Sequence, residues 1–408
     1  MSNESLAGSN AAHALVVNAG SSSIKLTLFD IAGEPKRVFE VAVVNIGQPT
    51  ARLVMKDSAS GEITEKPENI IDHKTATVLL VDWLKPKLTD LRLIAIGHRI
   101  VHGGPKYFAT SIIDEAVLKD LRDLAPFDPE HLPDELVLID AFYELFPNVP
   151  QIACFDTAFH HNIPTVAQLL PIPRRYNLQG IRRYGFHGLS YSFIVEALKR
   201  LDDPAANNGR LVIAHMGSGV SLAAVKDGVS IDTTMSFTPV SGVPMGTRSG
   251  DLDPGIFLYL ARGQNLDPDE LDELVNKQSG LLGMSETTAD MEQLLKLEAT
   301  DERAKDAVDV FCYQVKKSIG SLSAALGGLD GLIFTGGMGE NAPKVRSRIC
   351  AGLTFLGVEL DEARNLEGKG LISTDISPVK IRVIPTDEAL VIARSTRQIL
   401  SESKVHET

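Results

Sequence analysis

Two short segments set glycine and hydroxyl side chains between apolar runs: VVNAGSSSIK at residues 16–25 and VIAHMGSGVS at residues 212–221. A turn of this kind can aim backbone N–H groups, hydroxyls and a cation at an anion, and glycine lets the anion come close. The first segment supplies Ser21, Ser22, Ser23 and Lys25 for that purpose. It is not a Walker A loop, because GxxxxGK[ST] is absent and the turn leads into a strand pattern instead of a helix. A third segment, FTGGMGEN at residues 334–341, crowds Gly336, Gly337 and Gly339 into a turn after an apolar run. Such a turn lets a nucleotide lie against the backbone or lets a helix pack closely, and each segment alone is also an ordinary turn.

The candidate charges are spread along the chain. Arg99 follows the apolar run LRLIAI in GHRIVHGG, and Arg248 sits between glycines in MGTRSGDLDPG. Arginine stays protonated and grips carboxylates and phosphates through two parallel donors. Asp156 closes the apolar run of VPQIACFD, where an acid serves as a metal or base position or caps the next helix. RRYGFHGLS gathers Arg182, Arg183 and His187. Zinc is disfavoured, since His160 and His161 are adjacent and no HExxH occurs. Magnesium carried by a nucleotide needs only one or two carboxylates, for which Asp156 and Glu388 are suitable.

These residues need a scaffold. ALVVNAG, IKLTLFD, LRLIAIGHR, VPQIACFD, RLVIAHMG, VSLAAVKDG, DGLIFTGG and KIRVIPT are short, rich in Val and Ile and closed by Gly, Pro or polar residues, so they read as strands. NIIDHKTATVLLVDWLK reads as a helix. So does ERAKDAVDVFCYQVKKSIGSLSAALGG, with Val308, Phe311, Val315, Ile319, Leu322 and Leu326 on one face and a Gly pair as the stop. The mixture predicts an α/β fold with a hairpin opening each half. Two similar hairpins about two hundred residues apart, in a chain of 408 residues, predict duplicated domains with both turns lining a cleft. The net charge of -13 argues against a nucleic-acid footprint and against anionic membranes, so no partner of either kind is expected. Three scattered cysteines support neither disulfides nor a cysteine zinc site and fit a reducing cytoplasm. The start, MSNESLAGSNAA, lacks the features of a signal peptide and reads as a flexible tail over residues 1–12.

VNAGSSSIK, GHRIVHGG, FDTAFH, YGFHGLS, HMGSG, DTTMSFTPVSGVPMGTRSGDLDP, FTGGMGEN and IPTDEALVIAR, in this order, closely resemble the acetate kinase family, from about residue 14 to the C-terminus. The resemblance implies two duplicated ribonuclease H-like domains of the actin-like ATPase kind with an active-site cleft. The expected domains are residues 13–158 plus 389–408 and residues 159–388. It further implies a homodimer, and reversible transfer of the ATP γ-phosphoryl group to acetate, giving acetyl phosphate and ADP with Mg2+ or Mn2+. Arg99 falls at the acetate-binding position, Asp156 at the catalytic carboxylate, and His187 and Arg248 at two transition-state stabilisers. Asn18 and Glu388 fall at metal-associated positions, and Ser21 and Ser23 in the phosphate loop. Lys25, His215, Met216, Gly217, Ser218, Gly219, Asp290, Met291, Glu292, Gly337, Met338, Gly339, Glu340 and Asn341 fall at nucleotide positions. Acetate is already a nucleophile, so Asp156 is expected to position metal or substrate more than to act as a base.

The chain departs from the family pattern at three places. Where LAPLHNPAN is common it has LAPFDPEHLPDE, which makes His131 the active-site histidine with Asp128 as the competing match, and puts Glu135 where an Asn is usual. HMGSGVS replaces HLGNGSS, placing Ser218 for an amide and Val220 for a hydroxyl. TADMEQL stands for SSDFRDL, so an altered nucleotide preference is expected. Propionate or butyrate kinase is the alternative within the enzyme class, because one methylene is worth only about 1–3 kcal/mol of discrimination. A nucleotide-gated, actin-like assembly protein is the alternative of another class, but it would not need Arg99, His187 and Arg248 together.

Overall fold

The computed structural model describes residues 12–406 apart from Ser21, Ala59 and Asp90, so residues 1–11 of the expected tail and the Ser21 assignment lie outside the described residues. The chain divides into two compact units. One runs to Ala158 and resumes at Asp387, and the other is Phe159–Thr386.

The first unit holds β1 (His13–Gly20), β2 (Ser23–Asp30), β3 (Lys36–Val44), β4 (Arg52–Asp57), β5 (Ile63–Pro67), β6 (Leu93–Ile100), β7 (Ser111–Ile112) and β8 (Gln151–Phe155). Their order in the sheet is β5-β4-β3-β2-β1-β6-β8-β7. Leu15 and Val17 of β1 share a core with Leu80 and Leu84 of α1 (His73–Leu88) and with Leu138 and Phe142 of α2 (Leu132–Leu145). Helix α1 starts where Asp72 accepts the Thr75 N–H at 2.7 Å, which satisfies one of the orphan donors of the first turn.

The second unit holds β9 (Arg210–Met216), β10 (Val220–Lys226), β11 (Val229–Thr233), β12 (Gly331–Thr335), β13 (Gly370–Leu371) and β14 (Lys380–Val383), in the order β11-β10-β9-β12-β14-β13. Its helices include α3 (Gly188–Arg200), α4 (Pro254–Gly263), α5 (Glu302–Leu326) and α6 (Gly336–Asn341). In α5 the expected stripe from Val308 to Leu326 is buried, and Gly327 ends the helix at φ 72°.

Both sheets repeat one plan. Two antiparallel pairings, β1/β2/β3 and β9/β10/β11, are followed by two parallel ones, β1/β6/β8 and β9/β12/β14. An antiparallel two-residue strand closes each far edge, β7 on β8 and β13 on β14. This is the duplicated α/β arrangement, with a hairpin opening each half. The chain then returns to the first unit as α7 (Glu388–His406).

Helix α7 lies on β6 at Gly97, where an added Cβ would collide with Thr396 Oγ1 and stand 2.7 Å from Ile392 Cγ2. The contact tolerates no side chain. Gly97→Ala is therefore expected to destabilise the protein by about 1–3 kcal/mol, the usual range for overpacking. Denaturant unfolding checks it: the midpoint falls while the slope is kept, and an unchanged midpoint refutes the close approach.

Candidate functional site

In the first unit, the β1–β2 hairpin sets Asn18 opposite Lys25 and Gly20 opposite Ser23. Lys25 is exposed. The Asn18 Nδ2 donates to Glu388 Oε2 at 2.9 Å, which ties the hairpin to the first residue of α7. Arg99, one residue from the end of β6, and Asp156, one residue past β8, come from neighbouring parallel strands. Arg99 Nε and Nη2 donate to Asp156 Oδ2 at 3.1 and 2.5 Å, and Nη1 donates to the Ala19 carbonyl at 3.0 Å. Of the five guanidinium N–H groups these bonds use three, leaving one on each Nη. Burial alone would weaken the Arg99 cation, but Asp156 and Glu388 outweigh it and hold its pKa above the ordinary value. Asp156 thus pairs with Arg99.

In the second unit, β9 and β10 are joined by residues 217–219, with the Gly217 N–H donating to the Gly219 carbonyl at 3.0 Å. Ser218 is exposed, and its carbonyl accepts the Gly246 N–H at 3.3 Å, tying this turn to the MGTRSG segment. A Cβ on Gly219 would stand 3.2 Å from His187 Nε2 and 3.5 Å from Arg248 Nη1. The glycine thus brings both side chains against its backbone, where an anion held by the turn would meet them. Arg248 Nη1 also donates to the Pro239 carbonyl at 3.2 Å. His187 has a left-handed backbone, φ 58°, directly before α3. Its ring stacks on His215 with centroids 4.1 Å apart. Its Nδ1 lies 2.9 Å from Ser221 Oγ, and Ser221 contacts Tyr191; neither residue was singled out by the sequence reading. Arg182 donates to Gln168 Oε1, and Arg183 to the Thr233 and Met235 carbonyls, so both brace loops.

The FTGGMGEN segment differs from the turn that its glycines suggest: residues 336–341 form the helix α6. Gly336 has φ 77° and lies so near β9 that a Cβ would stand 2.9 Å from the Met216 backbone. The Glu340 carboxylate points back into the unit, accepting the Gly336 N–H at 2.9 Å and the Thr386 N–H at 3.3 Å. Buried Arg346 donates to the Gly339 and Glu340 carbonyls and to Asn365, fixing the end of α6. Gly337 and Asn341 are exposed, Met338 is half-buried and Gly339 is buried. Asp290 caps a helix by accepting the Glu292 N–H at 2.8 Å, Met291 packs into the core, and exposed Glu292 pairs with Lys296.

Residues 13–394 match the model described as the acetokinase family. The chain belongs to the acetokinase family. The acetate kinase of Rhodopseudomonas palustris is 43% identical over 386 residues, which is 93% of this chain and 96% of that protein. The crystal structure of Porphyromonas gingivalis acetate kinase is 35% identical, with a TM-score of 0.83 over 96% of this chain and 100% of that one. A propionate kinase from Francisella tularensis, also 35% identical, has a TM-score of 0.86 over 95% of this chain and 99% of that one.

ATP-dependent kinases of the acetokinase family imply a divalent metal. Among the described residues no cluster of three or more His, Cys, Asp or Glu side chains could hold an ion by itself. The Asn18–Glu388 pair offers amide and carboxylate oxygens instead, which suits a hard cation that arrives on phosphates and keeps waters.

The chain's departure from the acetokinase pattern is built into the first unit. His131 Nδ1 lies 3.0 Å from Asp128 Oδ1, so the two competing matches for the family histidine are in contact. Glu135, on the first turn of α2, is buried and accepts the Val101 N–H through both oxygens, at 3.2 and 3.1 Å, two residues beyond Arg99. Burial pushes its carboxyl well above the usual carboxylate range, while Arg99 and the Val101 N–H pull the other way. A carboxyl with a raised folded pKa stabilises fully below its unfolded value, near 4.5, and that contribution is lost as the pH rises through the folded pKa. Glu135→Gln is accordingly expected to melt higher than the parent at pH 8, with the gap closing toward pH 4. Melting curves across this range decide, and a constant gap rejects the buried-acid reading.

Proposed function

We propose that this protein transfers the γ-phosphoryl group of ATP to acetate reversibly, with Mg2+ or Mn2+, giving acetyl phosphate and ADP by direct in-line transfer. The observation that carries the reading is the convergence of His187 Nε2 and Arg248 Nη1 on the Gly219 backbone. Two cationic or N–H-donating groups beside a glycine turn are what the spreading charge of a moving phosphoryl group needs. Arg99, with one N–H left on each Nη, supplies the fork that fits a carboxylate. Acetate needs no deprotonation, so Asp156 serves by fixing that fork. A metal held by Asn18 and Glu388 would supply charge neutralisation on the phosphates. His215, Gly217 and Ser218 at the β9–β10 hairpin and Gly337, Met338 and Asn341 on α6 are the nucleotide contacts of this reading, with Asp290, Met291 and Glu292 beside the nucleoside. In the structure Met291 is buried and Glu340 is turned inward, and in this reading the two serve through packing and through the shape of α6.

The acyl preference is open to the same chemistry, since a propionate kinase shares this fold at comparable similarity. Trapping the acyl phosphate as its hydroxamate with acetate, propionate and butyrate ranks the three. Arg99→Ala is expected to raise the acetate KM with the ATP KM unchanged. Arg248→Ala is expected to lower kcat about 10²–10³-fold, the loss typical of one donor to a transition state. Wild-type kcat in Arg248→Ala would refute the assignment.

A homodimer is the assembly that we propose. Helix α4, PGIFLYLARG, buries none of its residues, and Ile256, Leu258 and Tyr259 are 40, 56 and 70% exposed. A second copy would cover this face. Leu258→Glu is expected to shift the protein to monomer in sedimentation, and an unchanged mass excludes α4. No helix among the described residues is long and apolar enough to cross a membrane. Burial pushes the thiols of Cys154, Cys312 and Cys350 up to about 12, and all three are unbridged, in keeping with the cytoplasmic placement proposed here.

A further inference from the structure

The first turn of α3 holds two imidazoles by their inner nitrogens. Ser190 Oγ lies 2.9 Å from His215 Nδ1, and the next residue, Tyr191, reaches Ser221 Oγ at 2.5 Å, which in turn lies 2.9 Å from His187 Nδ1. Ser190, Tyr191 and Ser221 are all fully buried. The Tyr191 ring is held in place by Phe159 and His160 at centroid distances of 5.8 and 5.4 Å. His160 is fixed in turn by Ser230 Oγ at 2.7 Å and the Phe186 carbonyl at 3.1 Å. His187 is thus gripped from one side by hydroxyls, from its face by His215, and through its backbone by the turn into α3.

A chain of two hydroxyls ending on an imidazole nitrogen has two directions that keep the serine hydrogen within the chain, and a third, in which both neighbours donate to Ser221, would strand that buried hydrogen without an acceptor. In one, Tyr191 donates to Ser221 and Ser221 donates to Nδ1, so Nδ1 is bare and the ring proton is on Nε2. In the other, Nδ1 carries the proton, donates to Ser221, and Ser221 donates to the phenol oxygen. A phenol is a stronger acid than an aliphatic hydroxyl and so the better donor of the pair, which selects the first direction. We propose that Ser221 and Tyr191 are positioning residues that lock His187 with its proton on Nε2, the nitrogen beside Gly219. The consequence is chemical. A neutral His187 then offers an N–H to a phosphoryl oxygen without first gaining a proton, so the donor is ready in the ground state and only strengthens as charge develops. The second tautomer would present a lone pair to an anion, and repel it.

This inference rests on the reading that His187 faces the transferred phosphoryl group, and the two fail separately in one experiment. The full-length protein is labelled with 15N-histidine, and the His187 signals are assigned by their loss in His187→Gln. The expected wild-type spectrum at neutral pH has a bare Nδ1 and a protonated Nε2. In Ser221→Ala the tautomers mix, and kcat falls about tenfold with both KM values unchanged, the order of loss seen when an outer partner that orients a histidine is removed. Tyr191→Phe shifts the same way by less. Ser221→Thr, which keeps the hydroxyl, restores tautomer and kcat together.

A wild-type ring with a proton on Nδ1, neutral or cationic, overturns the proposal. So does a Ser221→Ala protein with the parental tautomer or parental kcat while His187→Gln is impaired. A purely structural role for the pair would lower the melting temperature and leave the tautomer alone. If His187→Gln itself turns over normally, the phosphoryl-facing reading of His187 is wrong whatever the spectrum shows.

Discussion

The Arg99–Asp156 ion pair is the constraint around which the first unit is arranged. Asp156 has no exposed surface and Arg99 keeps 12% of its side chain open. A carboxylate so placed is tolerable only beside a cation, and removing one partner of such a pair typically costs about 3–5 kcal/mol. The parallel strands β6 and β8 put the two residues side by side, and the Ala19 carbonyl from β1 takes a third guanidinium donor. Three neighbouring strands therefore fix one fork.

The second unit has the same sheet plan. Its first hairpin carries His215, Gly217, Ser218 and Gly219 where the first unit carries Asn18, Gly20 and serines, and His187 and Arg248 are delivered from loops outside the sheet. Hydroxyls set the geometry that glycine makes possible: Ser190 and Ser221 hold rings that would otherwise rotate. Duplication thus provides one scaffold twice, and the side chains at its strand ends differ in charge and reach.

Much of this was readable from residue order. The Val- and Ile-rich strands end at Gly or Pro, and α5 carries a stripe at helical spacing, so hydrophobic burial leaves its period in the sequence. The edge strands do not: β5, ITEKP, is exposed throughout and has no apolar alternation to notice. Helix α6 was hidden because four of its six residues are glycine or asparagine, weak helix formers, and it is held by Glu340 and Arg346 instead of by propensity. That Glu340 turns inward and Met291 is buried could not be read, because a motif records which residues are present and not where their side chains turn. Ser221 and Tyr191 escaped notice for a related reason, since a hydroxyl that acts through a histidine has no spacing of its own. Ser190 and Tyr191 do stand three and four residues beyond His187, the spacing at which one helical turn can reach back, and that was the available clue.

The central claim is that Asp156 works by fixing Arg99 and the charge around it, and not by abstracting a proton. Steady-state kinetics of Asp156→Asn, titrated with both acetate and Mg2+, test it most directly. Turnover is expected to fall and the acetate KM to rise, because an amide can accept from the guanidinium but cannot neutralise it. Near-normal turnover with an unchanged acetate KM and unchanged magnesium dependence would contradict the account.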